Sequence, residues 1–181
     1  ESTKPVTEEL AGAEARKLRR SLEAYHGKQD PAAVAAAWPH LSSSDRWLRH
    51  AARVAIESQP VEQWAAKVFK EQNPQARISG AVALARMGNK SHRDAQIAAL
   101  LELDPSQLSE PQFLGLLRAY ALTFIRLGKP TAEQRAQVIA ELDPYLPSQS
   151  KNINTELVRV LVYLESPTVI AKALDLIENR G

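Results

Sequence analysis

The hydrophobic pattern along the chain is that of short amphipathic helices. Apolar residues recur at spacings of three and four, and no stretch alternates apolar and polar residues between hairpin-turn dipeptides. The pattern therefore predicts an all-α fold of about ten helices. The expected helices span residues 7–26, 31–38, 45–57, 61–70, 74–87, 93–103, 111–127, 132–142, 153–164 and 168–178.

Cap residues mark several of the predicted helix ends. Asp45 and Asn73 each precede a helical stretch and are expected to accept hydrogen bonds from its first backbone N–H groups. Gly88 and Gly128 follow helical stretches, where we expect left-handed C-caps. Capping boxes, in which side chain and backbone satisfy each other, are expected for Ser109 with Gln112 and for Thr131 with Gln134.

The chain also repeats itself. Met87-Gly88 is followed by a helical stretch ending in LELDP at residues 101–105, and Leu127-Gly128 by one ending in AELDP at residues 140–144. The period of about 40 residues lies in the range of HEAT and armadillo repeats. Since a short helical hairpin cannot bury its apolar face alone, such units must stack on one another.

Two stretches resemble the second helix of a HEAT repeat. Residues 73–88, NPQARISGAVALARMG, combine a capping residue, a small apolar residue before Arg77, alanine-rich core positions and a closing glycine. Asp45 with Arg49 follows the same pattern in the preceding unit, so we interpret Asp45, Arg49 and Asn73 as cap and ion-pair residues. The resemblance implies a right-handed α–α superhelix, that is, a HEAT- or armadillo-like solenoid.

A closer resemblance covers nearly the whole chain. AYHGKQDPAAVAAAWPHL, DRWLRHAARVAIESQPVEQW, LGLLRAYALTFIRLGKP and LVRVLVYLESPTVIAKAL are similar to the helical-repeat segment of very large exported proteins of planctomycete-type bacteria. There the segment accompanies a dehydrogenase-like propeller and a c-type cytochrome domain. The resemblance implies an exported or periplasmic location. The Cys-x-x-Cys-His haem motif is absent from this cysteine-free sequence, so electron transfer is not carried over.

The domain organisation follows from these patterns. Residues 1–29 are expected to form a leading helix and linker, and residues 30–181 the helical hairpins of a single domain. The sequence starts at Glu1 without an initiator methionine or a signal-like apolar core. We therefore expect a segment of a longer protein.

The composition makes some classes of function less favoured than others. Hydrophobic residues make up 44% and charged residues 24%, as in globular proteins. Lys and Arg number 23 against 21 acidic residues, which leaves no broad cationic excess for tracking a phosphate backbone. Nucleic acid is thus not a favoured partner, and no apolar run is long enough to span a bilayer.

No set of residues favours catalysis, a cofactor or a metal. The four histidines, His26, His40, His50 and His92, belong to different predicted hairpins and never stand at i,i+4. Ser42, Ser43 and Ser44 precede a helix and are better explained as loop and cap residues than as nucleophiles. We expect no catalytic, cofactor-binding or metal-binding site.

An alternative hypothesis starts from the tryptophans. Some HEAT-like DNA glycosylases combine tryptophans, an aspartate and an arginine in a concave groove, and Trp47, Asp45 and Arg49 could supply that set. Packing, capping and ion pairing explain the same residues more simply. The surrounding cluster comprises Trp38, Trp64, Arg46 and Arg53.

The remaining candidates are arginines on the predicted inner helices. Arg86 and Arg126 match across the repeat, one residue before Met87-Gly88 and Leu127-Gly128. Such arginines could line a concave surface for an acidic partner, or could tie repeats together. The full set is Arg53, Arg77, Arg86, Arg118, Arg126 and Arg159.

These observations favour a non-catalytic scaffold or protein-interaction module. Its expected partners are neighbouring domains of its own parent chain or an acidic protein. The competing hypothesis remains a nucleic-acid-binding or base-processing protein that uses the Trp/Asp/Arg cluster.

Overall fold

The computed structural model describes residues 10–180, and the side chains of residues 12–178. Over these residues the fold is all-α, without a strand. Ten α-helices follow one another: α1 (Leu10–Glu23), α2 (Ala33–Ala37), α3 (Arg46–Glu57), α4 (Ala65–Lys70), α5 (Pro74–Met87), α6 (Arg93–Leu101), α7 (Glu110–Arg126), α8 (Ala132–Leu142), α9 (Lys151–Tyr163) and α10 (Val169–Arg180). None of them is long and apolar enough to cross a membrane.

The ten predicted helices are confirmed in type and order, and their ends differ by a few residues. The predicted start of the first helix, Thr7, lies outside the described residues. The second helix is the main departure, because its α-helical part ends at Ala37 and continues as a 3-10 turn, Trp38–Ser42. Pro39 in that turn has no N–H to give to an α-helical hydrogen bond.

The predicted N-caps are confirmed. Asp45 accepts a hydrogen bond from the backbone N–H of Trp47 at 2.7 Å, and Asn73 accepts one from that of Ala76 at 3.0 Å. Both capping boxes are present as well, Ser109 with Gln112 and Thr131 with Gln134. Local side-chain chemistry therefore sets the starts of these helices.

The two predicted glycine C-caps behave differently. Gly128 has a positive φ of 118°, the region that favours glycine. The prediction for Gly88 is wrong, because its φ is −78° and its backbone is extended. Its N–H instead donates to the Leu84 carbonyl at 2.7 Å, and a Cβ there would lie 2.6 Å from that oxygen. Glycine is needed at this position for close approach.

The cap of α3 gives a simple test. Asp45→Ala is expected to lower the free energy of unfolding by about 1 kcal/mol, because two N–H groups at the helix start lose their acceptor. Asp45→Asn keeps an acceptor oxygen and should stay close to wild type. Urea denaturation measures both, and an equal loss in the two variants would contradict the capping role.

The helices pack in a regular order. The odd-numbered helices contact one another in sequence, α1 with α3, α3 with α5, α5 with α7 and α7 with α9. Each even-numbered helix from α2 to α8 packs against the odd-numbered helix that follows it. One apolar core consequently runs through the stack, from Leu22 in α1 to Val169 in α10.

Helix α5 lies at the centre of this packing, and residues 76–85 are all buried. Two glycines permit its close contacts: a Cβ on Gly115 of α7 would lie 2.9 Å from Cγ2 of Ile78, and one on Gly80 would lie 3.1 Å from Cγ2 of Val68. The α5–α7 interface is therefore closed by direct packing. Any surface available to a ligand must lie elsewhere.

Candidate protein-binding groove

Arg77 does not belong to an exposed surface, and this part of the sequence prediction is wrong. Its side chain is only 3% exposed. The guanidinium donates to the Glu71 carbonyl at 2.6 Å, to the Ala99 carbonyl at 2.9 Å and to the Glu102 carboxylate at 2.8 Å. One arginine thus joins α5 to the end of α4 and to α6.

Three further predicted arginines connect the C-terminal ends of neighbouring helices. The buried Glu57 carboxylate at the end of α3 pairs with Arg53 of the same helix and, at 2.9 Å, with Arg86 of α5. Arg126 of α7 donates to the carbonyls of Ala85 and Arg86, both at 3.2 Å. We call Arg53, Glu57, Arg86 and Arg126 the arginine strap.

One member of the strap, Arg126, engages carbonyls that the end of α5 leaves open, whereas Arg53 and Arg86 bind the Glu57 carboxylate. The last carbonyls of a helix have no partner within it, and cations are stabilised beside them. Arg86 and Arg126 match in the sequence because each stands at such an end. Although Arg86 and Arg126 are partly exposed, their guanidinium groups are already bonded to the protein itself.

Arg118 and Arg159 are placed differently. Arg159 of α9 pairs with Glu156 one turn before it, at 2.6 Å. Arg118 stands mid-way along α7, is exposed, and makes no hydrogen bond or ion pair with any described residue. Both side chains line the same depression between α7 and α9. Of the predicted arginines, these two are the ones that the structure leaves facing an open surface.

The depression between α7 and α9 is an elongated groove with an apolar and a cationic end. We call it the α7–α9 groove. At one end lies a pocket of about 230 Å³, and at the other a wider, shallower part of about 770 Å³. The groove is defined here by Arg118, Ala121, Ile125, Glu156, Arg159 and Tyr163.

The apolar end of the groove exposes large side chains. Ile125 is 72% exposed and Tyr163 is 42% exposed. The Tyr163 ring stacks on Phe124 with centroids 5.7 Å apart and planes 4° apart, and Phe124 stacks in turn on the buried Tyr120 at 5.8 Å. This aromatic column holds the Tyr163 ring in place, so little side-chain entropy would be lost when a ligand covers it. Sequence analysis did not single out Ile125 or Tyr163.

The three tryptophans of the predicted cluster have different environments in the fold. Trp64 is 1% exposed and belongs to the core, whereas Trp47 is 55% exposed with the Arg46 guanidinium 4.4 Å from its ring centre. Of the packing roles expected for the tryptophans, in the core or between hairpins, burial in the core is therefore wrong for Trp47. The Trp38 indole N–H donates to Glu71 at 2.7 Å.

The polar members of that cluster also have structural partners. The Asp45 carboxylate caps α3, and Arg49 donates to the carbonyls of Ser43 and Ser44, at 2.5 and 2.9 Å. The predicted ion pair between Asp45 and Arg49 is replaced by these backbone bonds. Only Trp47 of the three tryptophans thus offers an exposed face for stacking.

Among the described residues, the rings of His26, His50 and His92 take part in hydrogen bonds. The His26 ring bonds to the Ala51 carbonyl at 2.9 Å, and His92 accepts from the backbone N–H of Asn89 at 3.2 Å. Burial, with the Arg53 guanidinium next to it, lowers the pKa of His50. Among the described residues no three His, Asp or Glu side chains are grouped to hold a metal ion.

Two titratable side chains, Tyr120 of α7 and Glu141 of α8, form a buried pair that joins these helices. The Tyr120 hydroxyl donates to Glu141 Oε2 at 2.7 Å, while Glu141 Oε1 is buried without a partner. Burial raises the pKa of Glu141 to about 7, and the nearby Asp104 adds to the shift. The pKa of Tyr120 is raised as well, first by burial and then by Glu141. The recurring LELDP and AELDP segments contained a signal for this site, since Glu102 and Glu141 are equivalent in them.

Comparisons with known proteins do not assign a family. No protein-family model matches the chain, and neither the curated proteins nor the solved structures contain a match. The functional interpretation therefore depends on the groove and on the packing of the helices.

Proposed function

We propose that the chain is a HEAT-like solenoid of stacked helical hairpins, wound as a right-handed superhelix, and that it serves as a non-catalytic docking scaffold. Contacts between equivalent positions support the repeat architecture. Among the described residues, hydrogen bonds join residues that stand 40 apart in three places. They connect Arg126 to the Arg86 carbonyl, Gln134 to Asp94, and Ser150 to Glu110.

These bonds are what a stacked array with this period requires. In such an array, equivalent positions of successive repeats are neighbours, and each repeat contacts only the repeats beside it. The serial contacts of the odd-numbered helices follow the same rule. Stacked helical repeats characteristically bind other proteins along an extended surface.

The observation that carries the docking function is the α7–α9 groove. It exposes Ile125 and Tyr163 at one end and Arg118, a guanidinium without a partner among the described residues, at the other. Tyrosine and arginine are enriched among the residues that dominate binding energy at protein interfaces. A groove that combines them with an apolar floor favours a protein ligand over a small polar metabolite.

The partner is proposed to be a protein with an acidic surface or a neighbouring domain of the same parent chain. The resemblance to helical-repeat segments of exported proteins supports the second source and an exported location.

The proposal is tested by site-specific photo-crosslinking. A chain carrying a benzophenone amino acid in place of Ile125 is irradiated in an extract of the organism that produces it. We expect a discrete protein adduct, because the side chain at this position projects from the groove. The same amino acid at Gln137, an exposed position on α8, serves as the control and should give no such adduct.

Competition separates specific docking from chance contact. Excess unlabelled wild-type chain should suppress the adduct, whereas unlabelled Ile125→Asp chain should not. Equal adducts at Ile125 and Gln137, or equal suppression by the two competitors, would remove the groove as the docking site.

A further inference from the structure

We propose that the α7–α9 groove takes an amphipathic helix of a partner protein that carries a carboxylate two turns away from a large apolar side chain. This inference rests on the proposed docking function and specifies the chemistry of the ligand. The inference is supported by the chemistry of the two ends of the groove and by the distance between them.

The apolar end selects the apolar side chain. Its pocket lies between Ala121, Phe124 and Ile125 of α7 and Val160 and Tyr163 of α9, and the Glu156–Arg159 ion pair borders both this pocket and the cationic end. A ligand side chain placed there would remove water from Ile125 and from one face of the Tyr163 ring. Burial of apolar surface is favourable in proportion to its area, so the gain grows with the size of the inserted group.

The cationic end selects the carboxylate. Two guanidinium groups, Arg118 and Arg159, face this part of the groove together with one carboxylate, Glu156. Since Glu156 is already paired with Arg159, Arg118 is left with an uncompensated charge. A carboxylate of the ligand can accept a charge-assisted hydrogen bond from Arg118, whereas a basic residue there would be repelled.

The distance between the two ends sets the spacing of the two ligand groups. Arg118 and Ile125 lie seven residues apart on α7, which corresponds to about 10 Å along the helix axis at 1.5 Å per residue. A ligand helix lying along α7 covers the same distance in seven residues, and positions i and i+7 share one face. Amphipathic helices bind other helical proteins in grooves in this manner, with anchors at turn spacings.

The test uses a displayed library of random peptides, selected on the immobilised wild-type chain. The enriched peptides are then synthesised with a fluorescent label, and their dissociation constants are measured by anisotropy. Enriched sequences are expected to share an Asp or Glu and a large apolar residue at i,i+7. Binding should weaken as ionic strength rises.

Variants of the chain identify which end of the groove is used. Arg118→Glu is expected to weaken peptide binding about ten-fold or more, because an attractive charge pair becomes repulsive. Arg20→Glu makes the same charge change on the exposed face of α1, at the other end of the stack, and should change affinity less than about two-fold. Since Arg118 makes no bond with described residues, its variant should keep the wild-type circular dichroism spectrum.

Ile125→Asp distinguishes failure of this inference from failure of the docking function. Peptides that lose binding to Ile125→Asp but bind Arg118→Glu as tightly as wild type would retain the groove and overturn the acidic helix. Peptides whose binding is unaffected by Ile125→Asp would overturn both. Loss of binding with both variants, but not with Arg20→Glu, supports the inference.

Discussion

Replacing Arg77 by alanine is expected to lower the free energy of unfolding by about 3–4 kcal/mol. The substitution leaves two backbone carbonyls, those of Glu71 and Ala99, without the donors that they have in the folded state. A buried acceptor that loses its partner costs about 1–3 kcal/mol, and the space vacated by the side chain adds a further loss of packing.

The exposure of Glu102, the carboxylate that pairs with Arg77, makes the loss of stability smaller. The Glu102 side chain is 63% exposed, so water can solvate it once the guanidinium is gone. Breaking a fully buried ion pair costs about 3–5 kcal/mol, and Arg77→Ala is therefore expected in the lower part of that range. The change on the other partner, Glu102→Gln, should cost less than Arg77→Ala, because the glutamine oxygen can still accept from Arg77 and both carbonyl bonds remain, although the buried guanidinium loses its counterion.

Urea denaturation at neutral pH measures both variants. Arg77→Lys provides a further comparison, since its ammonium can replace only part of the fork of donors. If Arg77→Ala remained within about 1 kcal/mol of wild type, Arg77 would not join the three helices as described.

Features that depend on neighbouring residues in the chain were predictable. The helices, the caps at Asp45 and Asn73 and the two capping boxes follow from local patterns, and the structure contains all of them. The 3-10 turns and the extended backbone of Gly88 were not anticipated, although Pro39 is a local signal for the turn that follows α2. The exposure of Trp47 could not be predicted either, because a large apolar side chain can lie in the core or at the surface.

The roles of the arginines could be predicted only in part. Arg86 and Arg126 stand at helix ends, where the helix dipole favours a cation, so their position favours structural bonds, although Arg86 uses the Glu57 carboxylate and not a carbonyl. Arg118 stands within α7, where every nearby carbonyl belongs to the helical ladder, and it faces the groove instead. For Arg77 no local signal was available, because its acceptors come from α6 and from the residue that follows α4.

The repeat indicated the equivalence of Glu102 and Glu141 but not their different environments. Glu102 meets the guanidinium of Arg77, whereas Glu141 meets the phenol of Tyr120. A phenol can donate one hydrogen bond but supplies no positive charge. Glu141 therefore carries the cost of burial without an ion pair, and its pKa rises to about 7.

This difference makes the stability of the protein depend on pH. In the unfolded chain Glu141 has an ordinary pKa of 4.5, and in the folded chain one of about 7. Below pH 4.5 the group is protonated in both states and makes no contribution. As pH rises from 4.5 to 7, the unfolded state releases its proton first, so stability falls and then levels off above pH 7.

Glu141→Gln is expected to remove this loss. At pH 8 the variant should be more stable than wild type by roughly 1–3 kcal/mol, after allowance for the partial exposure of the carboxylate, and the difference should be clearly smaller at pH 5. Glutamine keeps a carbonyl oxygen for the Tyr120 hydroxyl and never ionises. Urea denaturation between pH 5 and pH 8 measures the difference between the two proteins.

The difference between variant and wild type isolates Glu141 from other titrating groups. His50, whose pKa is lowered, makes wild type less stable as pH falls and so acts in the opposite direction, but it contributes equally to both proteins. Glu102→Gln is the matched control, since the same substitution at the equivalent position removes a carboxylate that is paired with Arg77 and so should not stabilise the protein at pH 8. A profile of Glu141→Gln that runs parallel to wild type from pH 5 to pH 8 would show that the Glu141 carboxylate is solvated in the folded protein, and that the bond from Tyr120 does not bury it.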